Sequence, residues 1–109
     1  NKGARIMKLL TKELEKKLIR QAEKNEFISD PSEDFAHVRF FDPTGSWTWF
    51  ASEYYPETKT FYGLVIGHEK ELGYFSLTEL QELKLPMGLK IERDLYFEST
   101  LMSKLYREL

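Results

Sequence analysis

The stretch FAHVRFFDPTGSWTWFASEYYPETKTFYGLVIG, residues 35–67, decides the fold. Its apolar residues alternate or run continuously where a helix would repeat them every three or four, so it reads as a β-meander with strands near 35–42, 46–54 and 60–67. Asp42-Pro43-Thr44-Gly45-Ser46 is its most informative turn. Pro43 fixes φ for a type I turn, and Gly45 suits the left-handed residue of a three-residue hairpin loop with a bulge. Tyr55-Pro56-Glu57-Thr58-Lys59 reads as a five-residue loop.

Upstream, Thr11 can N-cap a helix over about 12–25, an effect worth ~1 kcal/mol. Leu14, Leu18 and Ala22 recur at helical spacing, with Leu10 and Gln21 extending the arc. The other side carries Lys12, Lys16, Lys17, Arg20 and Lys24, interrupted by Glu13 and Glu23. Met7-Lys-Leu-Leu reads as a natural start, so residues 1–6 are expected to be a leading remnant or disordered stub and 7–109 a single domain. Residues 28–34 form a polar loop into the meander.

Downstream, a short fourth strand is expected at 72–75. Ser76-Leu77-Thr78-Glu79 matches a capping box that opens a helix ended by Pro86 and Gly88. Ile91 to Phe97 reads as a connection and edge strand, and Ser99 or Thr100 as the cap of a final helix. This order gives an α+β fold: an antiparallel three- to five-stranded meander with an N-terminal helix on one face and short C-terminal helices.

Composition narrows the function. The 109 residues contain no cysteine, which excludes a disulfide framework, a thiol nucleophile and a thiolate zinc site within them. No apolar run approaches the ~18 residues of a membrane span, and a cytoplasmic location is expected. The net charge of −2 conceals an asymmetry. Residues 1–26 hold eight basic and four acidic residues, the remainder eight basic and fourteen acidic. The first segment attracts polyanions and the rest repels them.

Turn chemistry sets register, and register decides which side chains share a face. Pairing Asp42 with Ser46 puts Arg39 opposite Trp49; pairing Tyr54 with Thr60 puts Ala51 opposite Gly63 and Trp47 opposite Gly67. One face then collects Ala36, Val38, Phe40, Thr48, Phe50, Tyr62, Leu64 and Ile66 for the first helix to cover. The other collects Phe35, His37, Arg39, Phe41, Trp47, Trp49, Glu53, Phe61 and Val65. Two readings of this second face stand. Arg39 stacks on Trp49 or pairs with Glu53 inside an ordinary core, or the face is left partly open as an aromatic groove for a peptide, base or small ligand.

His68-Glu69-Lys70-Glu71 could bring imidazole and carboxylate together, although the spacing has no second His at i+4 and suits a solvated turn. Ile91-Glu92-Arg93-Asp94-Leu95 could orient a partner through Arg93 or close a loop by internal ion pairs. The basic helix face could touch phosphates, and Gly-x-Ser-x-Gly, Walker A and Gly-x-Gly-x-x-Gly patterns are absent.

Met7-Lys-Leu-Leu-Thr, Phe41-Asp-Pro-Thr-Gly-Ser-Trp-Thr-Trp-Phe, Phe61-Tyr-Gly-Leu-Val-Ile-Gly-His-Glu, Glu71-Leu-Gly-Tyr-Phe-Ser-Leu-Thr-Glu-Leu and Gly88-Leu-Lys-Ile-Glu-Arg-Asp-Leu-Tyr-Phe together resemble the small bacterial family known as domain of unknown function 2958. The resemblance spans about residues 7–98 and brings no assigned activity or functional residues. It implies a setting in plasmids, phages and integrative elements, hence a role in element maintenance or in handling host defences.

The expectation is a non-enzymatic cytosolic module that binds a protein or peptide through His37, Arg39, Trp47, Trp49, Glu53, His68, Glu92 and Arg93. No catalytic residue, metal ligand, cofactor or membrane contact is assigned. The alternatives are a nucleic-acid accessory protein using Lys12, Lys16, Arg20 and Lys24, and a small enzyme or metal protein around His68, Glu69 and Glu71.

Overall fold

In a computed structural model the described residues are 8–27 and 34–109. The expectations for residues 1–6, and for most of the polar loop before Asp34, lie outside them. The chain is α+β, and among the described residues no helix is long and apolar enough to cross a membrane. Helix α1 (Lys12–Asn25) starts where the capping argument places it: the Thr11 hydroxyl accepts the Leu14 N–H at 3.2 Å. Its buried residues are Leu18, Gln21 and Ala22, and it packs chiefly on the central strand β3.

Five strands form the main antiparallel sheet, β5-β4-β3-β2-β6 in spatial order: β2 (Val38–Phe41), β3 (Thr48–Tyr55), β4 (Thr60–Ile66), β5 (Lys70–Ser76) and β6 (Glu92–Arg93). The expected first strand is broken at His37. Its start, β1 (Phe35–Ala36), leaves the sheet to pair with β7 (Thr100–Leu101), which precedes α3 (Met102–Glu108). Ser99 and Thr100 therefore do not cap α3. Thr100 pairs with Ala36, and α3 has no side-chain cap; its first N–H, that of Met102, goes to the Asp34 carbonyl at 2.8 Å. Helix α2 (Leu77–Glu82) does have its serine cap, with the Glu79 N–H on the Ser76 hydroxyl at 3.1 Å, but it ends before Pro86.

The β2–β3 register is one residue from the expected one. The Asp42 N–H donates to the Trp47 carbonyl and encloses four loop residues, so Arg39 lies opposite Phe50 and Phe40 opposite Trp49. Gly45 is not left-handed. Its N–H bonds the Asp42 carbonyl at 3.2 Å, and the Asp42 carboxylate holds the turn by accepting the Thr44 N–H and hydroxyl. A one-residue slip exchanges faces. Trp49 and Phe61 consequently join Leu18, Val38, Phe40, Leu80 and Ile91 in the core under α1 and α2. Phe50 and Leu64 move to the opposite face, against Ala36, Met102 and Phe97. Fully burying a ring such as Phe40 or Phe61 contributes roughly 1.5–3 kcal/mol.

Between β3 and β4 two departures cancel. The loop closes at Tyr55 and Thr60, one residue later than expected, and a bulge between Ala51 and Glu53 restores Ala51 opposite Gly63. Beyond the bulge Glu53 faces Tyr62 rather than Phe61. Gly63 has no room for a side chain, since a Cβ there would lie 1.8 Å from the Phe50 carbonyl oxygen. Gly63→Ala is therefore expected to lower unfolding stability by about 3 kcal/mol or more, measured by denaturant titration.

Candidate functional site

The structure brings Trp47, Trp49 and His68 together. Trp49 is buried, whereas Trp47, just before β3, keeps 37% of its surface exposed. The two indoles lie 6.0 Å apart between centroids, and the exposed His68 ring meets Trp47 edge-on at 5.5 Å. Gly67 makes this possible, since a Cβ there would sit 2.3 Å from the Trp47 ring.

Trp49 also borders a groove of about 430 Å³ between the sheet and α2, with Phe75, Leu80 and Leu83 as further apolar lining. Glu79 and Glu82 stand on the helical wall, and Ser76 lies at its start. The serine cap and a 2.9 Å bond from the Leu77 N–H to the Lys59 carbonyl fix where α2 leaves the sheet. On the neighbouring β5, Gly73 leaves open space: a Cβ there would touch nothing within 4 Å. Sequence reasoning missed Phe75, Glu79, Glu82 and Leu83 as groove residues. The available signal was a capped amphipathic helix following directly on a strand.

The other expected site residues lie elsewhere. Arg39 neither stacks on Trp49 nor pairs with Glu53; the register turns it to the opposite face. There it forms a 3.0 Å ion pair with Asp94 and lies 4.8 Å from the Phe41 ring centroid. Glu92 sits opposite Phe41, and Arg93, opposite Phe40, donates to the Lys8 carbonyl. This cluster ties β6 to β2 and the N-terminal segment.

Glu53 is buried beyond the bulge, where it accepts hydrogen bonds from the Asn25 amide and the Tyr55 hydroxyl. The same amide donates to the buried Asp34 at 2.6 Å. Burial, and then the bond to Glu53, pushes the Tyr55 phenol well above its ordinary pKa. Tyr62 is raised by burial first, then by Tyr74 and Glu53. The arrangement locks the end of α1 to β3.

His37, at the strand break, has its Nδ1 2.7 Å from the Ser99 hydroxyl and its ring stacked on Phe35. Lys12, Lys16, Arg20 and Lys24 are exposed along α1 at four-residue spacing, with Glu13 and Glu23 also exposed. Among the described residues no three His, Asp or Glu side chains are grouped to hold a metal ion.

A family model described as "Protein of unknown function (DUF2958)" matches residues 9–109, and the chain belongs to that family. Neither a curated protein nor a solved structure matches it significantly.

Gly67→Ala is expected to drive the Trp47 ring off the sheet at a cost of about 1 kcal/mol, read as a shift of tryptophan emission to longer wavelength. His37 gives a pH signature. Burial, then the Lys17 charge, holds its pKa below the ordinary 6.5. The unfolded chain therefore binds this proton more readily, and the stability present above pH 6.5 declines as pH falls through the folded pKa. Denaturation midpoints of His37→Asn should accordingly fall less than those of the native chain between roughly pH 7 and pH 5.

Proposed function

We propose that this member of the DUF2958 family is a non-enzymatic peptide-binding module whose receptor is the groove between α2 and the sheet. The observation that carries the reading is the lining itself. A concave apolar surface of Trp49, Phe75, Leu80 and Leu83 is flanked by two carboxylates, Glu79 and Glu82. An apolar anchor entering such a groove removes its own surface and that of the rings from water, at ~25 cal/mol per Å². The carboxylates select what stands beside the anchor: a Lys or Arg is favoured and an acidic neighbour repelled. The ligand is thus a protein segment with a Leu, Met or aromatic side chain next to basic residues. The family's implied setting in mobile elements makes a cytoplasmic host or element protein its source.

The acidic wall favours a peptide over nucleic acid as the occupant, because phosphates would meet Glu79 and Glu82. The basic row on α1 would bind a polyanion without using this groove.

Selection of a random heptapeptide display library on the immobilised protein tests the reading. Enriched sequences should pair an apolar anchor with Lys or Arg, and a synthetic enriched peptide should change tryptophan emission on titration. Glu79→Lys combined with Glu82→Lys should weaken that peptide about tenfold, equivalent to ~1.4 kcal/mol. Leu83→Asp, at an exposed position, should weaken it at least as much. Failure to enrich any such motif, or affinity unchanged in both variants, overturns the proposal. Binding of single-stranded DNA with a steep salt dependence, lost on replacing Lys12, Lys16 and Arg20, would instead support the basic-face alternative.

A further inference from the structure

We propose that two copies of this chain join in solution through β5, edge to edge and antiparallel, making one continuous sheet with five strands from each copy. Among the described residues β5 is an outer strand of the sheet. It is seven residues long, whereas β6 at the other margin has two. An open strand edge offers a row of backbone donors and acceptors, and proteins that stay monomeric blunt it by shortness, proline, charge or cover. β5 contains no proline. Its lysine, Lys70, is drawn to α3, where Nζ donates to the Tyr106 carbonyl and lies 4.7 Å from the Tyr106 ring centroid. Leu72 and Tyr74 share one face of the strand and are 49% and 69% exposed.

The sequence of β5 is complementary to itself. A two-fold axis normal to the sheet superposes like faces, so each residue must oppose one from the same face, and the axis must pass through a residue position. Of the possible centres, Gly73 pairs the whole strand: Lys70 with Ser76, Glu71 with Phe75, Leu72 with Tyr74, and Gly73 with its own copy. Leu72 and Tyr74 then cover each other twice across the axis, the kind of apolar cross-strand pair that stabilises a sheet. No like charges face each other in this register, while centring on Glu71 would set carboxylate against carboxylate. Gly73, with open space where its Cβ would be, keeps the axis free of side chains.

Sedimentation equilibrium of the full chain tests this pairing. The native protein should show twice its 13.0 kDa mass at micromolar concentration. Leu72→Lys with Tyr74→Lys sets lysines opposite lysines and should halve the mass, as should Leu72→Glu with Tyr74→Glu. Mixing the two double variants in equal amounts should restore the doubled mass through Lys–Glu pairs. Both positions are exposed, so unchanged circular dichroism is expected of all variants. A native protein of single-chain mass across the range overturns the proposal. So does a dimer that persists in both double variants, or a mixture that fails to reassociate.

Discussion

The hydrogen bond from the Asp42 N–H to the Trp47 carbonyl, 3.1 Å long, fixes the offset on which the rest of the sheet depends. A strand has period two, so moving this closure by one residue would turn every β3 side chain to the other face. With the closure where it is, Trp49 falls opposite Phe40 and Val65 and enters the core beneath α1 and α2. An indole buries ~150–250 Å², a gain of several kcal/mol. A domain of 109 residues has few places to make so large a gain.

The bulge at Ser52 supplies the second constraint, and it is satisfied by polar contacts. Its carbonyl accepts the Gln21 amide, and its hydroxyl donates to the Tyr62 carbonyl at 3.2 Å. Gln21 also bonds both the N–H and the carbonyl of Phe35, where the chain has left β3's neighbour position. One helical side chain thus serves three backbone groups that the bulge and the strand break leave outside the ladder. Among the described residues no buried side-chain nitrogen or oxygen is without a partner. That matters because an unsatisfied buried group costs ~1–3 kcal/mol.

Helix α1, the meander and the α2 cap were legible because each rests on local chemistry: Thr11 and Ser76 as caps, Leu14-Leu18-Ala22 as a stripe, Gly and Pro at the turns. Trp47 over Gly67 was legible too, because a glycine opposite a large ring is a local signal of space. That Arg39 and Glu53 lie on the face away from Trp49 was not, because it depends on the loop length at Asp42 and the bulge at Ser52. Turn residues allow both loop closures, and what selects between them is burial of Trp49 and Phe61 against elements more than ten residues away. The departure of β1 to pair with β7 is of the same kind, as nothing near His37 announces Thr100.

The central strand decides where a site can lie. Six consecutive residues of β3, Trp49 to Tyr54, are buried, as expected for a strand covered on both faces. Apart from the edge of Trp49 that borders the groove beside α2, a ligand cannot reach such a strand without displacing a helix. Open apolar surface lies at the margins instead: Trp47 before β3 begins, the groove beside α2, and the β5 edge. At each the chain spends a small residue or an exposed apolar one where a core would hold neither: Gly67 under Trp47, Leu83 at the groove, Gly73 between Leu72 and Tyr74. These side chains also pack on the sheet, Trp47 against Trp49 and Tyr74 against Tyr62 with centroids 5.0 Å apart, so they stand open at its rim while still bound to the fold.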